Sequence, residues 1–256
     1  MRIVLTIAGS DSSCGAGIQA DIKTFQRCGV YGVCAVTAVT AQSGNFVADV
    51  LPLPAPIVSK QMDAVLGEMR VQAVKTGMLW SEGIVRAVWR GLLKHRPPHL
   101  VIDPVIASHS GTRLLSKRAQ KALINHLFPL ADLITPNLPE AEEIAGMTIR
   151  SRGDLLEAAE RLKGFGPRAV LIKGGHGEGE ATDWYYDGRA LSSLRAPRKA
   201  RVKLHGSGCI LSAAITAGLA KGMPLIKAVR TGKAYVTREI RGAWRTGAGS
   251  SLARHG

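Results

Sequence analysis

Ile3-Val4-Leu5-Thr6-Ile7-Ala8-Gly9-Ser10-Asp11-Ser12-Ser13-Cys14-Gly15-Ala16-Gly17-Ile18-Gln19-Ala20-Asp21-Ile22-Lys23-Thr24-Phe25 stands at the head of the chain. Ile3–Ala8 is almost continuously apolar and predicts a strand covered on both faces. Gly9–Gly17 is a loop rich in glycine and small polar residues. From Ile18 the apolar residues recur at helical spacing, and Gly29 ends the helix. Tyr31–Ala41 follows as a second strand of β-branched and small residues, ending at Gln42. A buried strand, a helix and a second strand in close succession describe a parallel pair joined by a helical crossover.

The same alternation continues. Leu51–Pro56 reads as a stiff proline-rich connector, with helix to about Met69. Strands are expected at Ala73–Met78, Leu100–Val105, Asp132–Thr135 and Ala169–Lys173. Helices are expected at Ile84–His95, Arg118–Leu127, after Glu140, and at Asp154–Phe165. Thr182–Tyr186 and Ala190–Leu194, split by Asp187-Gly188, read as a hairpin. Ile210–Ala220 and Leu225–Arg241 are the last helices. The expected fold is α/β, with a mostly parallel central sheet, helices on both faces and a late β-hairpin. No linker divides it, so residues 1–245 are read as a single domain and 246–256 as a loosely ordered tail.

Composition sets limits. At 256 residues with 46% hydrophobic and only 5% aromatic residues, the core must be built from Val, Ile, Leu and Ala. No apolar run reaches the roughly 20 residues of a membrane span, and the first strand is too short for a convincing signal peptide; a cytoplasmic protein is expected. The four cysteines, Cys14, Cys28, Cys34 and Cys209, have no C-x-x-C pair and support neither a zinc site nor a disulfide framework. Cys28 and Cys34 read as small buried hydrophobes. The net charge of +15 favours anionic small ligands. The basic residues, densest from Arg195 to Lys203, lack interleaved aromatics, which disfavours nucleic acid as the partner.

In a doubly wound sheet, ligands gather at the carboxyl ends of the strands. Gly9–Gly17, Gln42, Met78, Asp103, Asn137–Glu140 and Lys173–His176 all follow expected strands. Gly15-Ala16-Gly17-Ile18-Gln19-Ala20 matches G-x-G-x-x-A, but the second strand ends in Gln42 rather than an acid, which disfavours a dinucleotide site. No P-loop occurs. His205-Gly206-Ser207-Gly208-Cys209 leads into an apolar helix, and a glycine-flanked helix start is an anion site. Cys209 in its first turn would have its thiol pKa lowered. A lysine, Lys173, and two strand-end acids, Asp103 and Glu140, fit phosphoryl transfer, the acids holding Mg²⁺ directly or through water.

Taken in order, Ile7–Asp11, Gly15–Asp21, Val39–Gln42, Lys75–Met78, Asp103–Val105, Thr135–Ala141, Lys173–His176 and His205–Cys209 closely resemble the hydroxymethylpyrimidine/phosphomethylpyrimidine kinases of thiamine biosynthesis, of the ribokinase-like superfamily. The resemblance implies a kinase using ATP and Mg²⁺. It would phosphorylate 4-amino-5-hydroxymethyl-2-methylpyrimidine and then its monophosphate. By resemblance, Gly206, Ser207, Gly208 and Cys209 surround the transferring phosphoryl group. Cys209 stands where sugar kinases carry an aspartate base, and either takes or orients the substrate hydroxyl proton. Asp103 and Glu140 correspond to magnesium-associated acids, and Asn137 and Lys173 to nucleotide phosphate contacts. Gln42 corresponds to the reader of the aminopyrimidine, with Gly9, Asp21, Met78 and Val105 lining the pocket. Relatives imply a homodimer. Pyridoxal kinase and a non-catalytic pyrimidine-binding regulator are the alternatives. The chain departs from the family at Ser12-Ser13-Cys14, where relatives carry proline and a further glycine. It departs also at Leu204, at Ser207 in place of threonine, at Ile106–Ser110, where His109 replaces a lysine, and at the C-terminus.

Overall fold

The computed structural model describes residues 1–108, 111–174, 180–199 and 202–255. Strand β1 (Ile3–Asp11) leads through the glycine loop into α1 (Gly17–Arg27), β2 (Tyr31–Gln42) and β3 (Val47–Pro52). Next come α2 (Ala55–Glu68), β4 (Val71–Thr76), α3 (Glu82–His95) and β5 (Leu100–Ile102). The chain continues through α4 (Lys117–Ala122), a π turn over Leu123–Leu127, β6 (Leu133–Ile134), α5 (Leu138–Ala145) and α6 (Arg152–Gly164). It ends with β7 (Val170–Ile172), β8 (Ala181–Tyr186), β9 (Leu191–Ala196), α7 (Ser207–Ala220), α8 (Leu225–Gly242), β10 (Trp244–Arg245) and β11 (Ser251–Leu252).

β1 to β9 form one sheet of nine strands in the order β3-β2-β1-β4-β5-β6-β7-β8-β9. The pairs from β2 to β7 are parallel. β3, β8 and β9 are added antiparallel at the two edges. Period-two alternation divides the short central strands between two cores. Leu100, Ile102, Ile134, Val170 and Ile172 pack with α2 to α6. Val101, Leu133 and Leu171 face α7 and α8. Helix α7 is buried along its whole length from Ile210 to Ala220, held between the sheet, α1 and α8. Such a position suits its Ala and Ile run and leaves only its N-terminus for polar work.

Helix starts carry the expected chemistry. Ser81 Oγ accepts from the Ile84 N–H at the head of α3. Asn137 with Glu140, and Ser151 with Asp154, form capping boxes at α5 and α6. Among the described residues no helix is long and apolar enough to cross a membrane.

Three expectations are corrected. The proline-rich connector is partly β3: Leu51 and Pro52 pair with Val39 and Ala38 across the sheet edge, where a proline's missing N–H does no harm. The 246–256 stretch is not loose over its described part. β11 pairs with β10, Ser251 bridges to Leu204, and the His205 N–H donates to Ser251 O at 2.9 Å. Cys28 and Cys34 are half-buried rather than enclosed.

Candidate active site

The strand ends and the start of α7 meet at one edge of the sheet. β1, β2, β4, β5, β6 and β7 deliver Asp11, Gln42, Met78, Asp103, Asn137 and Lys173 there. Gly206, the N-cap of α7, has φ +73°, a conformation glycine adopts without strain. A Cβ on Gly206 would lie 2.0 Å from Gly15 O and one on Gly15 would lie 2.4 Å from the His205 ring. Gly15 and Ala16 are therefore the seat for the α7 loop, while Gly17, at φ +60°, leaves no room for a Cβ against Gly9 O at 2.4 Å, so the glycines are explained without a dinucleotide.

No side chain caps α7 and its first turn holds no acid. The first α-helical bond runs from the Ile210 N–H to Gly206 O at 2.9 Å, so the Gly208 and Cys209 N–H groups precede the ladder. Gly208 faces a cation directly: a Cβ there would be 3.1 Å from Lys173 Nζ and 3.6 Å from Asp103 Oδ2. Lys173 Nζ donates to Asp103 Oδ1 at 2.6 Å. Thr135 Oγ1 donates to the same oxygen at 3.2 Å, and Ser212 Oγ lies 3.4 Å from Oδ2. Burial works to discharge Lys173, but the Asp103 and Glu140 carboxylates hold its pKa above the ordinary lysine value.

Glu140 closes the α5 capping box, accepting from the Asn137 N–H at 2.8 Å and the Ile106 N–H at 3.3 Å. Burial and the nearby Asp103 carboxylate push it up to about 7, against the pull of Lys173. Asn137 Oδ1 accepts from the Glu140 N–H at 2.9 Å, and Asn137 bridges to Lys173. The described residues contain no group of three or more His, Cys, Asp or Glu able to cage a metal. Asp103 and Glu140 are all-oxygen donors already engaged with Lys173 and backbone N–H groups. That donor set fits Mg²⁺ carried mainly by phosphate oxygens and water, the ion's usual habit.

Two expected roles are corrected. Asp21 does not line an open pocket. Its carboxylate accepts from Lys75 Nζ at 2.8 and 2.7 Å and from Thr6 Oγ1 at 2.6 Å, and neither Asp21 nor Lys75 exposes any side-chain surface. Cys209 is not biased towards thiolate. Burial pushes its thiol up to about 11; the Lys75 ammonium pulls the other way, and the Asp21 and Asp103 carboxylates reinforce the rise. The helix terminus alone gave the opposite sign because it omits the burial of the sulfur, which the two acids behind it reinforce.

The remaining expected residues form a second cluster. Met78 packs on Gly9, where a Cβ would meet its Cε at 2.4 Å. Met78, Ala38 and Leu114, with partly buried Val105 and Trp80, make a small apolar wall. Gln42 lies at the end of β2 beside Thr40 and His205, and His205 in turn bonds Asp11. Burial acts to raise the Asp11 pKa, but hydrogen bonds from His205, Ser13 and the Ala16 N–H hold it below the usual carboxylate value. Lys75, Thr40, Asp11 and His205 received no role from sequence. A lone lysine in the otherwise buried Val71–Thr76 strand was the available signal, since a buried ammonium requires an acid. Gly175, His176, His109, Ser110 and Arg201 lie outside the described residues.

The sequence profile described as phosphomethylpyrimidine kinase matches residues 11–253. The chain belongs to the phosphomethylpyrimidine kinase family. The hydroxymethylpyrimidine/phosphomethylpyrimidine kinase of Rhizobium meliloti (strain 1021) is 48% identical over 243 residues, 94% of this chain and 91% of that relative. Among solved structures, phosphomethylpyrimidine kinase from Clostridium difficile 630 is 43% identical with a TM-score of 0.83, over 94% of this chain and 100% of that one. Bacillus subtilis pyridoxal kinase, solved as an ADP complex, is 36% identical with a TM-score of 0.93, over 100% and 97% of the two chains. Family members therefore share this ribokinase-like sheet, and this kinase carries the family's motifs along nearly its full length.

Proposed function

We propose that the protein transfers the γ-phosphoryl group of ATP to the hydroxymethyl oxygen of 4-amino-5-hydroxymethyl-2-methylpyrimidine, and then a second to the resulting monophosphate, for thiamine biosynthesis. The observation that carries this reading is the uncapped start of α7 facing Lys173. The Gly206, Ser207, Gly208 and Cys209 backbone forms the anion hole, with donors fixed before charge develops. Lys173, held charged by Asp103, and Asn137 take the nucleotide phosphates. Asp103 and Glu140 would hold Mg²⁺, directly or through water, and the ion would neutralise phosphate charge there. Gln42 reads the aminopyrimidine against the wall of Gly9, Met78 and Val105, an amide offering both donor and acceptor. Asp21 supports the site from behind through Lys75.

In the transfer, the hydroxymethyl oxygen forms its bond to the γ-phosphorus as the bond to the β,γ-bridging oxygen of ATP breaks. The transition state is loose and needs positioning more than a strong base. Cys209 serves as a neutral thiol that orients the hydroxyl, and the proton leaves late to water or a phosphate oxygen. Exposed Val39 and Leu51, paired across β2 and β3, with Phe46 nearby, support a homodimer joined at this sheet edge.

The second reading, pyridoxal phosphorylation, is favoured by the high structural similarity to pyridoxal kinases. A coupled ATPase assay with the hydroxymethylpyrimidine, its monophosphate and pyridoxal decides. Turnover is expected with both pyrimidines, and activity on none of the three would end the kinase reading.

A further inference from the structure

The hydrogen bonds around Gln42 do not balance in the simplest arrangement, and resolving them assigns a role to Thr40. The Thr40 hydroxyl has one proton but two neighbours placed as acceptors: Ser10 O at 2.9 Å and the near end of the Gln42 amide at 3.1 Å. The far end of that amide lies 3.4 Å from His205 Nε2. The same Nε2 lies 2.9 Å from Asp11 Oδ2, so it carries a proton towards that carboxylate, which is held ionised. A protonated Nε2 cannot accept from an amide N–H. The amide nitrogen therefore belongs at the Thr40 end and the oxygen at the His205 end, an assignment made from hydrogen-bond logic as for any amide. Every group is then satisfied. Thr40 donates to Ser10 O and accepts from Gln42 Nε2, while the one His205 Nε2–H has Asp11 at 2.9 Å as its main acceptor and the Gln42 oxygen at 3.4 Å as the weaker arm of a shared bond.

We infer that Thr40, acting with His205, is a positioning residue that fixes the polarity of the Gln42 amide and so sets which ring edge the site accepts. The backbone around it is equally anchored: the Ser12 hydroxyl donates to Gln42 O at 2.7 Å and accepts from the Gln42 N–H at 2.9 Å. The fixed amide keeps one N–H and one lone pair for a ligand. A 4-aminopyrimidine edge supplies the matching ring-nitrogen acceptor and amino donor. A 4-oxo ring, with its N3–H, supplies the reverse pattern and leaves buried polar groups opposed, which is how a polar site rejects an analogue. Thr40 is buried and conformationally suited to β2, so exchanging its hydroxyl for a methyl group leaves the strand intact.

This inference rests on Gln42 as the ring reader. The test compares kcat and KM for the 4-amino substrate and its 4-oxo analogue in Thr40→Val, Thr40→Ser, Gln42→Leu and the Thr40→Val/Gln42→Leu double variant. Thr40→Val is expected to raise the 4-amino KM about 10-fold with much less change in kcat, and to narrow the preference over the 4-oxo analogue by a similar factor, about that of one hydrogen bond. Thr40→Ser restores both. In the Gln42→Leu background, Thr40→Val adds nothing. If Gln42→Leu raises KM while Thr40→Val does not, or if the two effects simply add, the positioning role is overturned and the Gln42 reading stands. An unchanged KM in Gln42→Leu overturns both. Thr40→Ala provides the same comparison should the valine variant fail to fold.

Discussion

Lys75 Nζ lies 2.7 Å from Asp21 Oδ2, and neither side chain reaches solvent. The pair joins β4 to α1 directly behind Cys209, which feels both charges. Burial opposes charging Lys75, yet the Asp21 and Asp103 carboxylates hold its pKa above the ordinary value. Breaking such a pair leaves an uncompensated buried charge. Lys75→Met should cost about 3–5 kcal/mol in urea unfolding. The Asp21→Asn/Lys75→Met double variant should recover much of it, because neither charge then remains. A single variant as stable as wild type would contradict the burial of this pair.

Two glycines in the α7 loop should respond differently to alanine. At Gly208 the added Cβ crowds the end of the flexible Lys173 chain, at 3.1 Å, and makes ordinary contact with Asp103 Oδ2 at 3.6 Å. The fold survives, but displacing the ammonium should lower kcat by about 10²-fold or more, the scale of a lost oxyanion donor. At Gly206 the Cβ would sit 2.0 Å from Gly15 O at φ +73°, so the substitution should destabilise the loop itself. Thermal midpoints beside kcat separate the two outcomes.

Cys209 should behave as a thiol. With its pKa pushed up to about 11 by burial, iodoacetamide labelling at about pH 8 should be slower than that of an unperturbed cysteine, whose pKa is about 8.5. Peptide mass spectrometry resolves it from Cys14. Cys209→Ser should keep substantial turnover; rapid labelling near neutrality together with a dead serine variant would restore the thiolate base.

Glu140 gives a pH signature. Its folded pKa, about 7, exceeds the ordinary 4.5. A raised folded value means the folded state binds the proton more tightly, so this group's contribution is complete below about pH 4.5 and is lost as pH rises through about 7. Urea midpoints at about pH 5 and pH 8 should differ more for the wild type than for Glu140→Gln. Equal differences would show that Glu140 ionises normally.

Much of the architecture was legible because strands buried on both faces leave unbroken apolar runs, as in Leu100–Ile102 and Val170–Ile172. Punctuation by Gly29 fixed the end of the first helix, while the Asn137 and Ser151 caps place the starts of α5 and α6 two to three residues earlier than expected. β3 was hidden by its prolines, which an edge strand tolerates. β11 was hidden because two residues carry no periodicity; its pairing with Trp244 and Arg245 and its bridge to Leu204 define it. In the site, the Lys173–Asp103 contact followed from strand-end placement. The sign of the Cys209 shift did not, since it depends first on how deeply the fold buries the sulfur and then on Asp21 and Asp103, which reach it from other elements. The proton logic at Thr40 likewise needs three chain segments at once, around Asp11, Gln42 and His205.

The β11 strand has a practical side. Ser251 holds the backbone of Leu204 and His205, and Leu252 lies against Gly15. These residues work as a latch on the turn proposed above to hold the transferring phosphoryl group. Carboxypeptidase trimming past Ser251 should silence the enzyme before it unfolds it, and an affinity handle belongs at the opposite terminus, where Met1 is 98% exposed.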